Sequence, residues 1–253
     1  MTQTIGVLAG SVAVIGSFVL HCLHHRNPLV DPDLFRRRSF RGASVVATLF
    51  QVAFGGFLLS LVLWDQNVWH WSALHTGLTI APSPFLVLPT ALLLAERLIK
   101  RFGPGVVIAI GTSFFAIGML WFALFAGLKP DYLVDFFPGL VLIGVGVGLA
   151  LPTMMASATS ELPPESFATG SAVVNMLRQV GLAIGVAVFV AVLGTPGEAH
   201  AVLDAFDRAW LVAAAFAAAG ALASLAILGV RRPAPPTGAT VPIDRRPALA
   251  EEA

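Results

Sequence analysis

The stretch "ATGSAVVNMLRQVGLAIGVAVFVAVL" (168–193) is apolar almost throughout, yet it carries Asn175, Arg178 and Gln179 near its middle. A helix needs about 20 apolar residues to cross a bilayer core about 30 Å thick. This run is long enough, and it lacks the alternation of a barrel strand. At about 100° per residue, Ser171, Asn175, Arg178, Gln179, Gly181 and Gly185 share one arc of the helix. Gly181 and Gly185 form a small-xxx-small pair, the spacing that lets another helix approach closely. A charge at this depth costs roughly 2.5–3.5 kcal/mol, and such residues normally face a bundle interior or an aqueous cavity. Two readings of Arg178 stand: it lines a polar pathway, or it snorkels to the headgroups or a helix-end carbonyl. Asn175 and Gln179 are candidate interhelical hydrogen-bond partners along the same pathway. Gln51, inside another apolar run, either lines the cavity or bonds a neighbour.

The rest of the chain has the same character. It has 253 residues, 57% of them hydrophobic and 11% charged, with mean hydropathy +0.85. An average soluble domain is about 25% charged, so an integral membrane protein is predicted. Seven runs qualify as spans, at 5–23, 42–64, 76–95, 104–126, 134–158, 168–193 and 209–230. The predicted fold is all-α with seven transmembrane helices. The net charge of +1 gives no sign of a nucleic-acid partner. One cysteine, Cys22, allows no internal disulfide. Met1 to Thr4 carries no basic residue, so no signal peptide is predicted.

Charge placement sets a predicted topology. Arg26, Arg36, Arg37, Arg38, Arg41, Arg97, Lys100, Arg101, Arg231, Arg232, Arg245 and Arg246 all fall on one side of a seven-helix weave, twelve of the fifteen basic residues. Basic loops stay cytoplasmic, which places the N-terminus outside and the C-terminus inside. Residues 231–253 are rich in Pro and Ala, with Arg and Glu, and read as a disordered cytoplasmic tail.

Other motifs are read structurally. Gly144-x-Gly146-x-Gly148 lies in an apolar run without strand context, so it reads as helix packing and not as a nucleotide loop. His21 and His25 share a helix face, but no carboxylate completes a metal set. Trp64, Trp69 and Trp71 read as an interfacial belt, and Asp65 as a solvated loop residue. Pro82, Pro84 and Pro89 predict a bent helix. Ser171 has no histidine at membrane depth, and no aspartate pair lies in a run, so no enzyme chemistry is predicted. A retinal protein needs a lysine on its last helix, and the run from Ala209 to Val230 has none.

Several segments resemble the fourteen-helix drug:proton antiporters of the major facilitator superfamily. "ATGSAVVNMLRQVGLAIGVAV" (168–188) resembles their penultimate helix, with Gly170, Asn175, Arg178, Gln179, Gly181 and Gly185 in order. "LIGVGVGLALP" (142–152) resembles the preceding glycine-rich helix. "DQNVWHWSALHTGLTIAP" (65–82) resembles an external loop. "ERLIKRFGP" (96–104) resembles a short basic cytoplasmic loop carrying Arg97, Lys100 and Arg101. "NPLVDPDLFRRRSF" (27–40) resembles the linker into the final six helices. The resemblance implies the C-terminal half of such a transporter: residues 1–23 as the second helix of the central pair, 24–41 as a basic linker, and 42–230 as a six-helix half. It implies efflux of small amphipathic drugs or antibiotics against protons, with no cofactor. The complement would be an N-terminal half in the same chain, a separate chain or a second copy. The alternatives are a truncated, non-transporting fragment or a seven-helix receptor-like protein.

Overall fold

The structure is a computed structural model that describes residues 38–160, 162, 164–194 and 199–229. No strand occurs among them. The apolar run at 5–23, the linker residues before Arg38 and the tail from Arg231 lie outside the described residues. Helix α1 spans Arg38–Asn67, so Arg38 to Arg41, assigned above to the linker, belong to a helix. Phe40 and Ala43 are fully buried in the bundle, and that anchors the early start.

The next crossing is a broken rod. It comprises α2 (Ala73–Ile80), α3 (Pro82–Pro89), a π-helical segment (Thr90–Ala95) and α4 (Glu96–Phe102). Then follow α5 (Pro104–Phe125), the short α6 (Tyr132–Asp135), α7 (Phe137–Thr159), α8 (Pro164–Leu193) and α9 (Ala199–Ala223), which ends in a second π-helical segment, Ser224–Leu228. Six spans among the described residues are long and apolar enough to cross a membrane.

The proline-rich rod bends for a chemical reason. Proline has no N–H, so Pro82, Pro84 and Pro89 remove donors from the helical ladder. Tyr132 hydroxyl donates to the Thr79 carbonyl at 2.7 Å just before the prolines and ties this stretch to α6. The rod ends at Gly103, whose φ of 85° a side chain rarely permits, and Pro104 starts α5. Arg97, Lys100 and Arg101, expected in a loop, are therefore helical. Glu96 and Lys100 form an i,i+4 ion pair there, and Leu98 and Ile99 pack against a cluster containing Val107 and Leu149.

Helices α1 and α7 occupy the middle of the bundle. α1 packs on α7, α8 and α9, while α7 packs on α3 and α5. Aromatic rings fill the space between α1 and α5: Phe115 meets Phe50 at 5.1 Å and Phe57 at 5.6 Å between centroids. At one end Trp64 packs on Trp210 and Phe206, each at 5.0 Å. Trp64 and Trp69 are buried here and do not form the interfacial belt expected above. Neighbouring rings supply a better environment than the headgroup layer, and Trp69 also donates its indole N–H to the Gly127 carbonyl at 2.9 Å.

Glycines bring the helices to backbone distance. A Cβ at Gly144 would lie 2.6 Å from the Ser83 carbonyl oxygen, and one at Gly148 would lie 2.7 Å from that of Val87. Gly146 and Gly111 face each other's carbonyls across the α7–α5 contact in the same way. Gly146→Leu should destabilise the bundle by about 1–3 kcal/mol through overpacking. Gly77→Ala, inside α2 where a Cβ meets nothing within 4 Å, should instead stabilise by about 0.5–1 kcal/mol through lost backbone freedom. Thermal unfolding in detergent, followed by tryptophan fluorescence, checks both.

Candidate functional site

The polar arc of the 168–193 run divides in three-dimensional space. Gly181 and Gly185 face α1: a Cβ at Gly181 would sit 2.8 Å from the Thr48 carbonyl oxygen, and one at Gly185 would collide with that of Val52. Asn175 and Gln179 are exposed, as are the large apolar side chains Met176, Val180 and Ile184 beside them. One helix thus has a clamped edge and an uncovered edge carrying two amides.

Arg178 lies between these edges and is half-buried. Its side chain reaches across to α7, where a guanidinium N–H points at the Met155 sulfur, 3.7 Å away. Its Nε is buried and has no hydrogen-bond partner among the described residues. Met155 lies one turn before the end of α7 at Thr159, so the guanidinium points back toward the N-terminus of α8, the direction that helical side chains take. No carboxylate pairs with it among the described residues; the one salt bridge there joins Lys100 to Glu96.

Gln51 sits in the α1–α8 contact and is 4% exposed. Its Cβ is 3.0 Å from the position a Cβ would take at Gly181, and its Oε1 has no partner among the described residues. Among the four pathway candidates, the structure places Gln51 in the α1–α8 contact and Arg178 between α8 and α7. It leaves Asn175 and Gln179 on the open face. Gly144, Gly146 and Gly148 lie on α7 and serve its contacts with the rod and α5. Arg97, Lys100 and Arg101 lie at the far end of the rod, all exposed.

The opposite end of the bundle holds a cluster that sequence reasoning missed. Asp65, expected in a loop, sits in the last turn of α1 and is 1% exposed. Thr79 hydroxyl lies 3.3 Å from its Oδ2, and its Oδ1 has no partner among the described residues. Thr76 is 3% exposed, and its hydroxyl oxygen is also unpartnered. Thr79 in turn lines an open cleft of about 550 Å³ with Ser72, His75, Tyr132 and Phe137. The spacing of Thr76 and Thr79, one turn apart and in register to face α1, was the available signal.

Six apolar spans, tight glycine contacts and a polar, uncovered helix face define a multi-pass membrane protein. Residues 4–186 match the Major Facilitator Superfamily pattern, and the chain belongs to that superfamily, a family of transporters and not of enzymes. It is 30% identical over 177 residues to the multidrug resistance protein B homolog of Mycobacterium tuberculosis, covering 70% of this chain and 33% of that protein. It is 31% identical over 185 residues to a puromycin resistance protein of Streptomyces alboniger, covering 72% and 36%. It is 28% identical over 231 residues to a cephamycin export protein of Amycolatopsis lactamdurans, covering 90% and 47%. The chain spans between about a third and a half of the length of these curated relatives.

The two edges of α8 should differ in reactivity. In a Cys22→Ser background, the purified chain carrying Gln179→Cys should react rapidly with a water-soluble maleimide. Gln51→Cys should stay largely unmodified until the protein is denatured. Equal labelling of the two would contradict the α1–α8 packing.

Proposed function

We propose that this chain is the C-terminal portion of a proton-coupled efflux antiporter for small amphipathic drugs or antibiotics. In this reading residues 42–230 form a six-helix half, 1–23 the second helix of a central pair, 24–41 a basic linker and 231–253 a cytoplasmic tail. The N-terminus is outside and the C-terminus cytoplasmic, because the basic end of the rod and both flanking basic segments then share the inner face.

One observation carries the reading. In the most apolar window of each span, 61% of residues are buried in α1 and in the α6–α7 span, but only 17% in the rod and in α8. The two flanking crossings are thus uncovered, and α8 adds Asn175, Gln179 and a half-buried Arg178 with no anionic partner among the described residues. Polar groups facing lipid are costly, so that edge calls for a cover. Superfamily transporters bind substrate between two halves that rock against each other. The cover is then the complementary half, supplied by more of the same chain, a separate chain or a second copy. The substrate class follows the relatives named for multidrug resistance, puromycin resistance and cephamycin export.

Two measurements test this. A C-terminal tag at the native locus, blotted under denaturing conditions, separates a product near 26.5 kDa from one near twice that size. Cells carrying the native locus should export ethidium, and a protonophore should stop the export. Arg178→Ala at normal expression should cut export by about tenfold or more, the cost of a lost charge-assisted contact. Export that ignores the protonophore would remove proton coupling, and export unchanged by Arg178→Ala would remove Arg178 from the pathway.

A further inference from the structure

Asp65 presents a problem of charge. A carboxylate taken out of water needs a partner, and no basic side chain provides one among the described residues. The residue is enclosed by its own bundle at 1% exposure. The polar side-chain group that the described residues bring to its carboxylate is a hydroxyl. Thr79 Oγ1 lies 3.3 Å from Oδ2. Thr76, one helical turn earlier and on the same face, brings a second hydroxyl that no protein group uses. The single Thr79 hydroxyl proton has a nearer acceptor in the Thr76 carbonyl, at 2.9 Å, which leaves a Thr79 lone pair directed to other company.

We propose that Asp65, Thr76 and Thr79 form a binding site for one monovalent cation, a proton or Na⁺. The donor set is a carboxylate and two hydroxyls, which suits a hard cation. A single positive charge neutralises the carboxylate without excess. The ion reaches the site through the open cleft, because Thr79 lines that cleft and touches Asp65 as well. Binding stands on this geometry alone, while its use in coupled transport rests on the function proposed above.

Neighbouring elements carry other titratable groups at this end of the bundle: His70 after α1, His75 on α2, Tyr132 and Asp135 on α6, Asp131 and Lys129 before it, and His200, Asp204, Asp207 and Arg208 on α9. His75 needs separate control, because its ring stacks on Trp71 with centroids 4.3 Å apart.

The test needs no transport. Trp64, Trp69 and Trp71 flank Asp65 in sequence and report on it by fluorescence. The purified chain in detergent, carrying His70→Gln and His75→Gln, is titrated with NaCl against choline chloride at constant ionic strength and pH. A separate pH scan is made in choline chloride without sodium. A saturable change in the first series identifies Na⁺; a change confined to the second identifies the proton. In either case Asp65→Asn should abolish the response, Thr76→Val and Thr79→Val should each shift its midpoint by about tenfold, and Asp207→Asn should leave it in place. No saturable response in either series, or one that survives Asp65→Asn, overturns the proposal. If Asp65→Asn does not stay monodisperse, the threonine variants decide, and unmoved midpoints overturn it.

Discussion

Inside a bilayer, two helices gain little from hiding apolar side chains, because lipid tails are as apolar as leucine. Their association relies on close van der Waals contact, and the rest of this bundle depends on where its backbones can touch. Carbonyl oxygens press against glycines at several joints among the described residues: Ser83 and Val87 on Gly144 and Gly148, Gly111 on Gly146, Thr48 and Val52 on Gly181 and Gly185, and Gly229 on Gly105. The first three of these run through α1 or α7, which helps to hold those two helices in the middle. The aromatic stack of Phe50, Phe57, Phe115 and Phe122 fills the volume that the glycine joints leave between α1 and α5.

The same joints fix the face that α8 offers to its surroundings. With Gly181 and Gly185 seated on α1, helical geometry turns Asn175 and Gln179 outward and leaves Arg178 at the boundary. Packing and exposure on this helix are two results of one rotation. Arg178 settles against Met155, a soft, polarisable neighbour that fills space but supplies no charge.

Much of this was legible in the residues. Long apolar runs gave the crossings, since length and hydropathy are direct consequences of bilayer thickness. Order within the 168–193 run gave one polar and small face, because that follows from helical period alone; its split into a clamped glycine edge and an open amide edge did not, because it depends on where α1 packs. Asp65 was not legible, nor were Trp64 and Trp69. Each lies near a helix end, where sequence shows a boundary but not which way the last turn faces. Those residues became buried because α2, α6 and α9 close over that end, and no local pattern encodes a contact across 140 positions. Arg97, Lys100 and Arg101 looked like loop because charge marks the membrane edge, yet a helix continues past that edge until Gly103 stops it. The division of Gln51 from Asn175 and Gln179 likewise depended on which neighbour claimed the glycines.

The π-helical segment after Pro89 changes the phase of the rod. Ser83, Val87 and Thr90 face α7 at intervals of four and three, and an unbroken α-helix would bring Leu94 next to that face. Instead Leu94 is 45% exposed and Ala95 is 4% exposed. The segment acts as a one-residue insertion, and in a helix one residue is a turn of about 100°. The two ends of the rod are therefore out of phase, like a screw whose thread has been cut and restarted. Its first part keeps step with α7 and its last part with α5. That slip sets the angular positions of Arg97, Lys100 and Arg101 while Leu98 and Ile99 between them seat on Val107 of α5 and Leu149 of α7, so the basic end is held at the junction of two helices.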